Sequence, residues 1–290
     1  MINDGNITSL KKYLERGGNP HTSDYIRNNY IRTYVLLSYA VSIDNIKIVE
    51  LLLKNNINVN LKDDNGLAPI HYACETDGEE VNISILKLLI KHGANVNVKN
   101  NEGQTPIFSA IYMNKMDKVK LLIMKGANVN VENYEGITPL HEAVMDNDIN
   151  VSIVKLLIQN GANLNATTKY AKKTPLHNIL KYQKNQKKRS KLVKLLINHG
   201  AKLDVKNFKG DTPLHVSMDL DMIDIAYLLF KSGAKLPKLN INDRLYFSKR
   251  MKAFYDKGTK TNKFVKLKLL SSIVKNDLPN NIKKKIFNYI

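Results

Sequence analysis

A single cysteine, Cys74, stands in the 290 residues, so no disulfide framework can form and no metal site can be assembled from cysteines at ligand spacing. A reducing, cytosol-like compartment is the expectation that follows. Long apolar runs are missing as well. The chain opens MINDGNITSLKKYLERGG, without the apolar stretch of a signal peptide, and nowhere carries a run long and apolar enough to span a bilayer. Neither secretion nor membrane spanning is expected. Acid is scarce beside base, 26 Asp and Glu against 45 Lys and Arg, for a formal charge of +19. Arginine is scarcer still, 6 residues against 39 Lys. Since guanidinium is the better fork for phosphates and base edges, that scarcity lowers a nucleic-acid reading of the charge. Asn numbers 36, and much of the Lys and Asn excess is read as the codon usage of an A/T-rich genome. What is present is 43% hydrophobic residues, enough to bury a core.

The dominant positive signal is internal repetition. Ala68-Pro69-Ile70-His71 returns as Thr105-Pro106-Ile107-Phe108, Thr138-Pro139-Leu140-His141, Thr174-Pro175-Leu176-His177 and Thr212-Pro213-Leu214-His215, with the prolines 37, 33, 36 and 38 residues apart. A second signal keeps the same phase: Gly93-Ala94-Asn95-Val96-Asn97, Gly126-Ala127-Asn128-Val129-Asn130, Gly161-Ala162-Asn163-Leu164-Asn165, Gly200-Ala201-Lys202-Leu203-Asp204 and Gly233-Ala234-Lys235-Leu236. Thr can cap a helix N-terminus, and Pro at the first helical position gives up an N–H that would be orphaned anyway. A first helix therefore starts at each tetrapeptide. Stretches such as Ile85–Ile90 and Ile153–Ile158 supply the apolar stripe of a second helix, which Gly93 or Gly161 ends as a left-handed cap. Neither helix pair can bury its apolar face alone, so the units must stack.

These residues resemble the ankyrin repeat, with its T-P-L-H-x-A tetrapeptide and L-L-x-x-G-A close, over roughly residues 1 to 236. The resemblance implies an all-α fold: a solenoid of helix pairs with turns, followed by a short helical C-terminal domain. We expect a half repeat or cap over 1–31, ankyrin repeats over 32–236, and a basic helical tail over 237–290. Within the array, Thr33–Ala40 and Ile48–Leu53 form a weaker repeat with Asn56 at the glycine position, and Leu10–Asn19 reads as the second half of one. Asp77–Glu80 and Tyr182–Arg189 are expected to lengthen inter-helix turns as solvated loops.

From Asn240 to Ile290 there are 13 basic and 3 acidic residues. Helical spacing is readable at Phe247, Met251, Phe254 and Tyr255, at Leu267, Leu270 and Val274, and at Ile282, Ile286 and Ile290, with Asp277-Leu278-Pro279 opening the last. The stretch from Leu278 resembles the opening helix of an F-box, L-P-x-x-I-x-x-x-I-x-x-x-L. An ankyrin array ending in such a segment is similar to the poxvirus ankyrin proteins with a C-terminal PRANC domain. Two departures from the usual F-box are present: Asn280-Asn281 and three lysines stand where an acidic residue is customary, and the sequence stops at Ile290. In that family the array holds a host target and the tail recruits the Skp adaptor and cullin of an SCF-type ubiquitin ligase, in the host cytoplasm or nucleus. The resemblance thus implies an adaptor-binding role for Leu278, Pro279, Ile282, Ile286 and Ile290. The alternative is that these residues only pack a final helix over the open end of the array.

Catalytic chemistry is not expected. His71, His141, His177 and His215 lie in the tetrapeptide, His92 and His199 precede the cap glycine, and only His21 is elsewhere. The family uses the tetrapeptide His as a hydrogen-bonding structural residue. No G-x-x-x-x-G-K-[ST], G-x-S-x-G, G-x-G-x-x-G or H-E-x-x-H occurs. Cys74 is expected to be a core thiol. We therefore expect no enzyme activity, no cofactor and no metal. Tyr134, Tyr170 and Phe208 occupy matching positions in three consecutive repeats, each shortly before the next tetrapeptide, and a row of aromatics on adjacent turns is an expected anchor for a target. The leading expectation is a non-enzymatic viral adaptor; a sequestering inhibitor acting through the repeats alone is second, and a basic tail on nucleic acid or anionic lipid third.

Overall fold

Every tetrapeptide proline opens a helix, as its missing N–H and fixed φ favour. The computed structural model describes residues 36–76, 80–145 and 150–235, together with Lys12, Glu15 and Arg16. Among these residues there are twelve helices and no strand. They fall in two compact units, Met1–Asn163 and Leu164–Ile290.

The first unit carries α1 (Leu36–Ser42), α2 (Ile46–Lys54), α3 (Pro69–Glu75), α4 (Glu80–Lys91), α5 (Pro106–Tyr112), α6 (Met116–Met124), α7 (Pro139–Met145) and α8 (Val151–Gln159). The first helix of each pair packs on its own second helix and on the first helix of the next pair, while α2, α4, α6 and α8 pack in succession. Each pair thus packs on its neighbours, and the stack completes a core that no pair could close alone. Ile70, Ala73, Cys74, Ile107, Ala110, Ile111, Leu140, Ala143 and Val144 are buried from the first helices, and Leu86, Leu89, Val119, Leu122, Val154 and Leu157 from the second. Full burial of each Ile, Leu or Val side chain contributes about 1.5–3 kcal/mol. The second unit repeats the scheme with α9 (Pro175–Tyr182), α10 (Gln186–Asn198), α11 (Pro213–Asp219) and α12 (Ile223–Lys231). Here α9 packs on α10 and α11, and α12 on α10 and α11.

Helix ends follow the reading from sequence. Gly93 ends α4 at φ +88°, its N–H donating to the Ile90 carbonyl and that of Ala94 to the Leu89 carbonyl, the paired bonds of a Schellman cap. Asn56 takes the same left-handed conformation at φ +56° after α2, at a cost of about 1 kcal/mol that glycine would not incur.

One expectation is corrected. Tyr182–Arg189 is not a loop: only Gln183, Lys184 and Asn185 separate α9 from α10, and Gln186–Arg189 forms the first turn of a 13-residue helix. The Asn185 side chain caps that turn by accepting from the Lys188 N–H at 3.0 Å, and Arg189 Nη1 donates back to the Gln183 carbonyl at 2.9 Å. Lys, Arg and Gln are good helix formers, so a capped insertion lengthens the helix. Glu80 likewise belongs to α4, while Asp77–Glu79 lie outside the described residues. Within the half repeat read at Leu10–Asn19, the Arg16 N–H donates to the Lys12 carbonyl at 3.2 Å, one helical turn. Thr33–Val35, His21 and the whole tail from Leu236, including Leu278, Pro279, Ile282, Ile286 and Ile290, lie outside the described residues.

Candidate functional site

The tetrapeptide histidines are built into the scaffold. His71 Nδ1 accepts the Ala68 N–H at 3.1 Å, and its Nε2 faces the Gln104 carbonyl of the next repeat at 3.4 Å. His177 does the same, with the Thr174 N–H at 3.2 Å, the Thr174 hydroxyl at 2.8 Å and the Asp211 carbonyl at 3.1 Å. Nδ1 accepting and Nε2 donating is the neutral imidazole. Burial favours that form and pulls His71 down to about 4, with His177 and His215 also lowered by burial. The Cys74 thiol, fully buried, is pushed up to about 12, which leaves no thiolate for nucleophilic use at neutral pH. Among the described residues no group of three or more His, Cys, Asp or Glu is placed to hold a metal ion, and no helix is long and apolar enough to cross a membrane.

Two bonding systems between repeats have no counterpart in the reading from sequence. The second Asn of the G-A-N-V-N close bridges to the next repeat: Asn97 Nδ2 donates to the Gly126 carbonyl at 2.9 Å while its Oδ1 accepts the Asn128 N–H at 2.8 Å. Asn60 and Asn130 make the same pair of bonds. Part of the asparagine excess is therefore structural. Lys118 is the other case. It sits in α6 where the neighbouring second helices carry Ile48, Ile85 and Ile153, and is only 4% exposed. Its Nζ donates to the Thr76 carbonyl at 2.7 Å, beside Asp44, whose carboxyl is raised by burial against the pull of Lys118. A charge breaking an aliphatic register was the available signal.

The turns carry the exposed aromatics. Tyr134, Tyr170 and Phe208 are 60%, 72% and 61% exposed. Two of these turns are organised by an Asx residue: Asn133 Oδ1 accepts the N–H groups of Glu135 and Ile137, and Asn207 Oδ1 those of Lys209 and Asp211. Tyr134 and Phe208 directly follow that residue, and their N–H groups donate to the preceding turn, at the Glu102 and Ala171 carbonyls respectively, both at 3.0 Å. Tyr170, like them, stands four residues before the threonine of the next tetrapeptide. Its turn begins at Thr168 and closes five residues on, with the Thr168 N–H donating to the Lys173 carbonyl, where the Asn133 and Asn207 turns close in four. The extra residue lies before the ring, and Lys172 at φ +47° takes the place and the left-handed conformation that Gly136 and Gly210 hold in the other two turns. The three rings are thus exposed residues at the same distance before the tetrapeptide, the 168–173 turn being one residue longer on its upstream side.

The first helices of the first unit line an open groove of about 560 Å³ with Glu75, Phe108, Ser109, Tyr112, Met113 and Glu142 among its walls. Ser109 Oγ donates to Glu75 Oε1 at 3.2 Å, and Tyr112 is 71% exposed.

Stacked helix pairs, structural histidines and exposed turn side chains define a repeat scaffold. The chain belongs to the ankyrin-repeat family: the family model "Ankyrin repeats (3 copies)" matches residues 1–100, 37–133, 78–168 and 140–243. Among solved structures it is similar to the ankyrin repeat domain of Bcl-3, described as a unique member of the IkappaB protein family, at 26% identity and a TM-score of 0.62, covering 76% of this chain and 93% of that one. No curated protein matches the chain. Ankyrin repeats bind protein partners, and they are typically scaffolds without catalysis.

Proposed function

We propose that this chain is a non-enzymatic adaptor of the poxvirus PRANC type. Its repeats hold a host protein, and its F-box-like C-terminal segment recruits the Skp adaptor and cullin of an SCF-type ubiquitin ligase. The observation that carries the reading is the presence on one chain of an ankyrin array and of the Leu278-Pro279, Ile282, Ile286, Ile290 spacing at its C-terminal end. Tyr134, Tyr170 and Phe208, exposed at turns, are candidate anchors for the target. The mechanism is effective concentration: a target held on the array and a ligase held on the tail meet at millimolar rather than cellular concentration. Such a device acts in the host cytoplasm or nucleus against antiviral defence.

The test is affinity capture from human cell lysate with the full chain and with its Leu278→Asp/Ile282→Asp variant. The adaptor and cullin captured by the parent chain and lost with the variant is the expected result. Neither captured by the parent chain overturns ligase recruitment. The Asn280-Asn281 pair and three lysines that depart from the usual F-box favour a second reading, a sequestering inhibitor whose tail caps the array; a host protein then binds parent and variant equally.

A further inference from the structure

Charge is distributed very unevenly along the repeats. Residues 1–163 contain 16 Lys and Arg against 18 Asp and Glu, whereas 164–235 contain 15 against 5. Within the second unit much of this charge gathers beside the aromatic turns. The Phe208 N–H bond to the Ala171 carbonyl holds the 207–211 turn against the 168–173 turn. That bond gathers Lys173 from one turn, Lys209 from the other and Lys181 from the end of α9. Burial, and after it the neighbouring Lys181 and Lys209, pulls Lys173 below its ordinary value, while Lys181 is raised, chiefly by Tyr182 and then by Lys173. Lys169 Nζ lies 5.6 Å from the Tyr170 ring centre, Lys209 Nζ 5.8 Å from that of Phe208 and Lys181 Nζ 5.0 Å from that of Tyr182. Asp211, the acid of the same turn, accepts from Asn207 Nδ2 at 3.4 Å.

We propose that the lysine and aromatic surface formed by Lys173, Lys181 and Lys209 with Tyr170 and Phe208 docks an acidic segment of a partner protein. This deepens the adaptor reading by naming the chemistry of the target, and it rests on the array being the target-binding part. Crowded ammonium groups repel one another, and a carboxylate among them relieves that repulsion while losing little of its own hydration at so open a site. The exposed rings receive the apolar side chains between the carboxylates. A protein rather than a nucleic acid is favoured on two grounds. The surface offers ammonium groups and not the guanidinium forks that read phosphate and base edges, Arg189 being turned to the Gln183 carbonyl. The rings on which bases would stack already have an ammonium over them.

The experiment titrates the full chain into a fluorescein-labelled peptide of alternating Glu and Leu, followed by fluorescence anisotropy at physiological salt. Parent chain, a Lys173→Gln/Lys181→Gln/Lys209→Gln variant and a Lys191→Gln/Lys194→Gln/Lys202→Gln variant of equal charge are compared, with circular dichroism checking the fold. Affinity falling about tenfold in the first variant and about twofold or less in the second is the expected result. Tyr170→Ser/Phe208→Ser weakens binding without altering charge. Absence of binding by the parent chain, an unchanged first variant, or equal loss in both lysine variants overturns the proposal; so does tighter binding of a labelled oligothymidylate with the same loss in the first variant, which assigns the surface to nucleic acid. The tail is intact throughout, so failure of ligase recruitment and failure of this surface are read separately.

Discussion

Phe108 holds in its repeat the place that His71, His141, His177 and His215 hold in theirs, and the Thr105 hydroxyl at the start of its helix, 1% exposed, has no hydrogen-bond partner among the described residues. In the next repeat the corresponding hydroxyl of Thr138 lies 2.8 Å from His141 Nδ1. An unsatisfied buried hydroxyl costs about 1–3 kcal/mol. Thr105→Val is therefore expected to leave stability unchanged or raise it by up to about 1 kcal/mol, while Thr138→Val lowers it by about 1–2 kcal/mol. Urea unfolding of the two variants beside the parent chain checks the opposite signs.

Asn97 makes two bonds to the following repeat with one side chain. Being solvent-exposed, each is worth about 0.5–1.5 kcal/mol net, so Asn97→Ala is expected to cost about 1–2 kcal/mol. Asn97→Asp keeps the acceptor for the Asn128 N–H and loses the donor to Gly126, and should fall between. Asp204 shows that half-bond in place, accepting the Lys235 N–H at 2.8 Å. Equal stability of the three chains in denaturant would remove the asparagine ladder from the account of the stack.

His71 makes stability depend on acid. Folded, it is held neutral down to about 4, against an ordinary value of 6.5, so below neutrality the unfolded chain takes up a proton that the folded chain refuses. Its contribution is complete above about pH 7 and declines as pH falls through 6.5 toward 4, to a total on the order of 3 kcal/mol. Burial lowers His177 and His215 as well, and they act in the same direction. Denaturation midpoints at pH 7, 5.5 and 4.5 should fall steadily, and the slope should be shallower in His71→Gln.

Gly103 places Tyr134. It stands at φ +79°, and a Cβ there would lie 2.9 Å from the Tyr134 ring and 3.0 Å from its backbone nitrogen, the donor to Glu102. Gly93, at φ +88°, has nothing within 4 Å of such a Cβ. Gly93→Ala should cost only the left-handed penalty of about 1–2 kcal/mol. Gly103→Ala should cost more and also shift the Tyr134 resonances in an NMR spectrum, a change absent from Gly93→Ala.

The chain's local grammar was readable in its sequence. Pro69, Pro106, Pro139, Pro175 and Pro213 open helices, Gly93 and Gly161 close them, and the tetrapeptide histidines accept through Nδ1 from a backbone N–H three residues back, because each of these rests on backbone conformation or on contacts within a few residues. The capped first turn of α10 was missed: Asn185 was present, but a run of lysines reads as a loop when its cap is not weighed. What only tertiary structure decided involves residues one repeat apart. Asn97 meets Gly126, Lys118 meets Thr76, and Phe208 meets Ala171. Periodicity sets the phase at which such residues recur, but which side chain reaches which carbonyl depends on how neighbouring helix pairs and turns stack. That is settled by packing across about thirty or more residues of chain, and no local propensity encodes it.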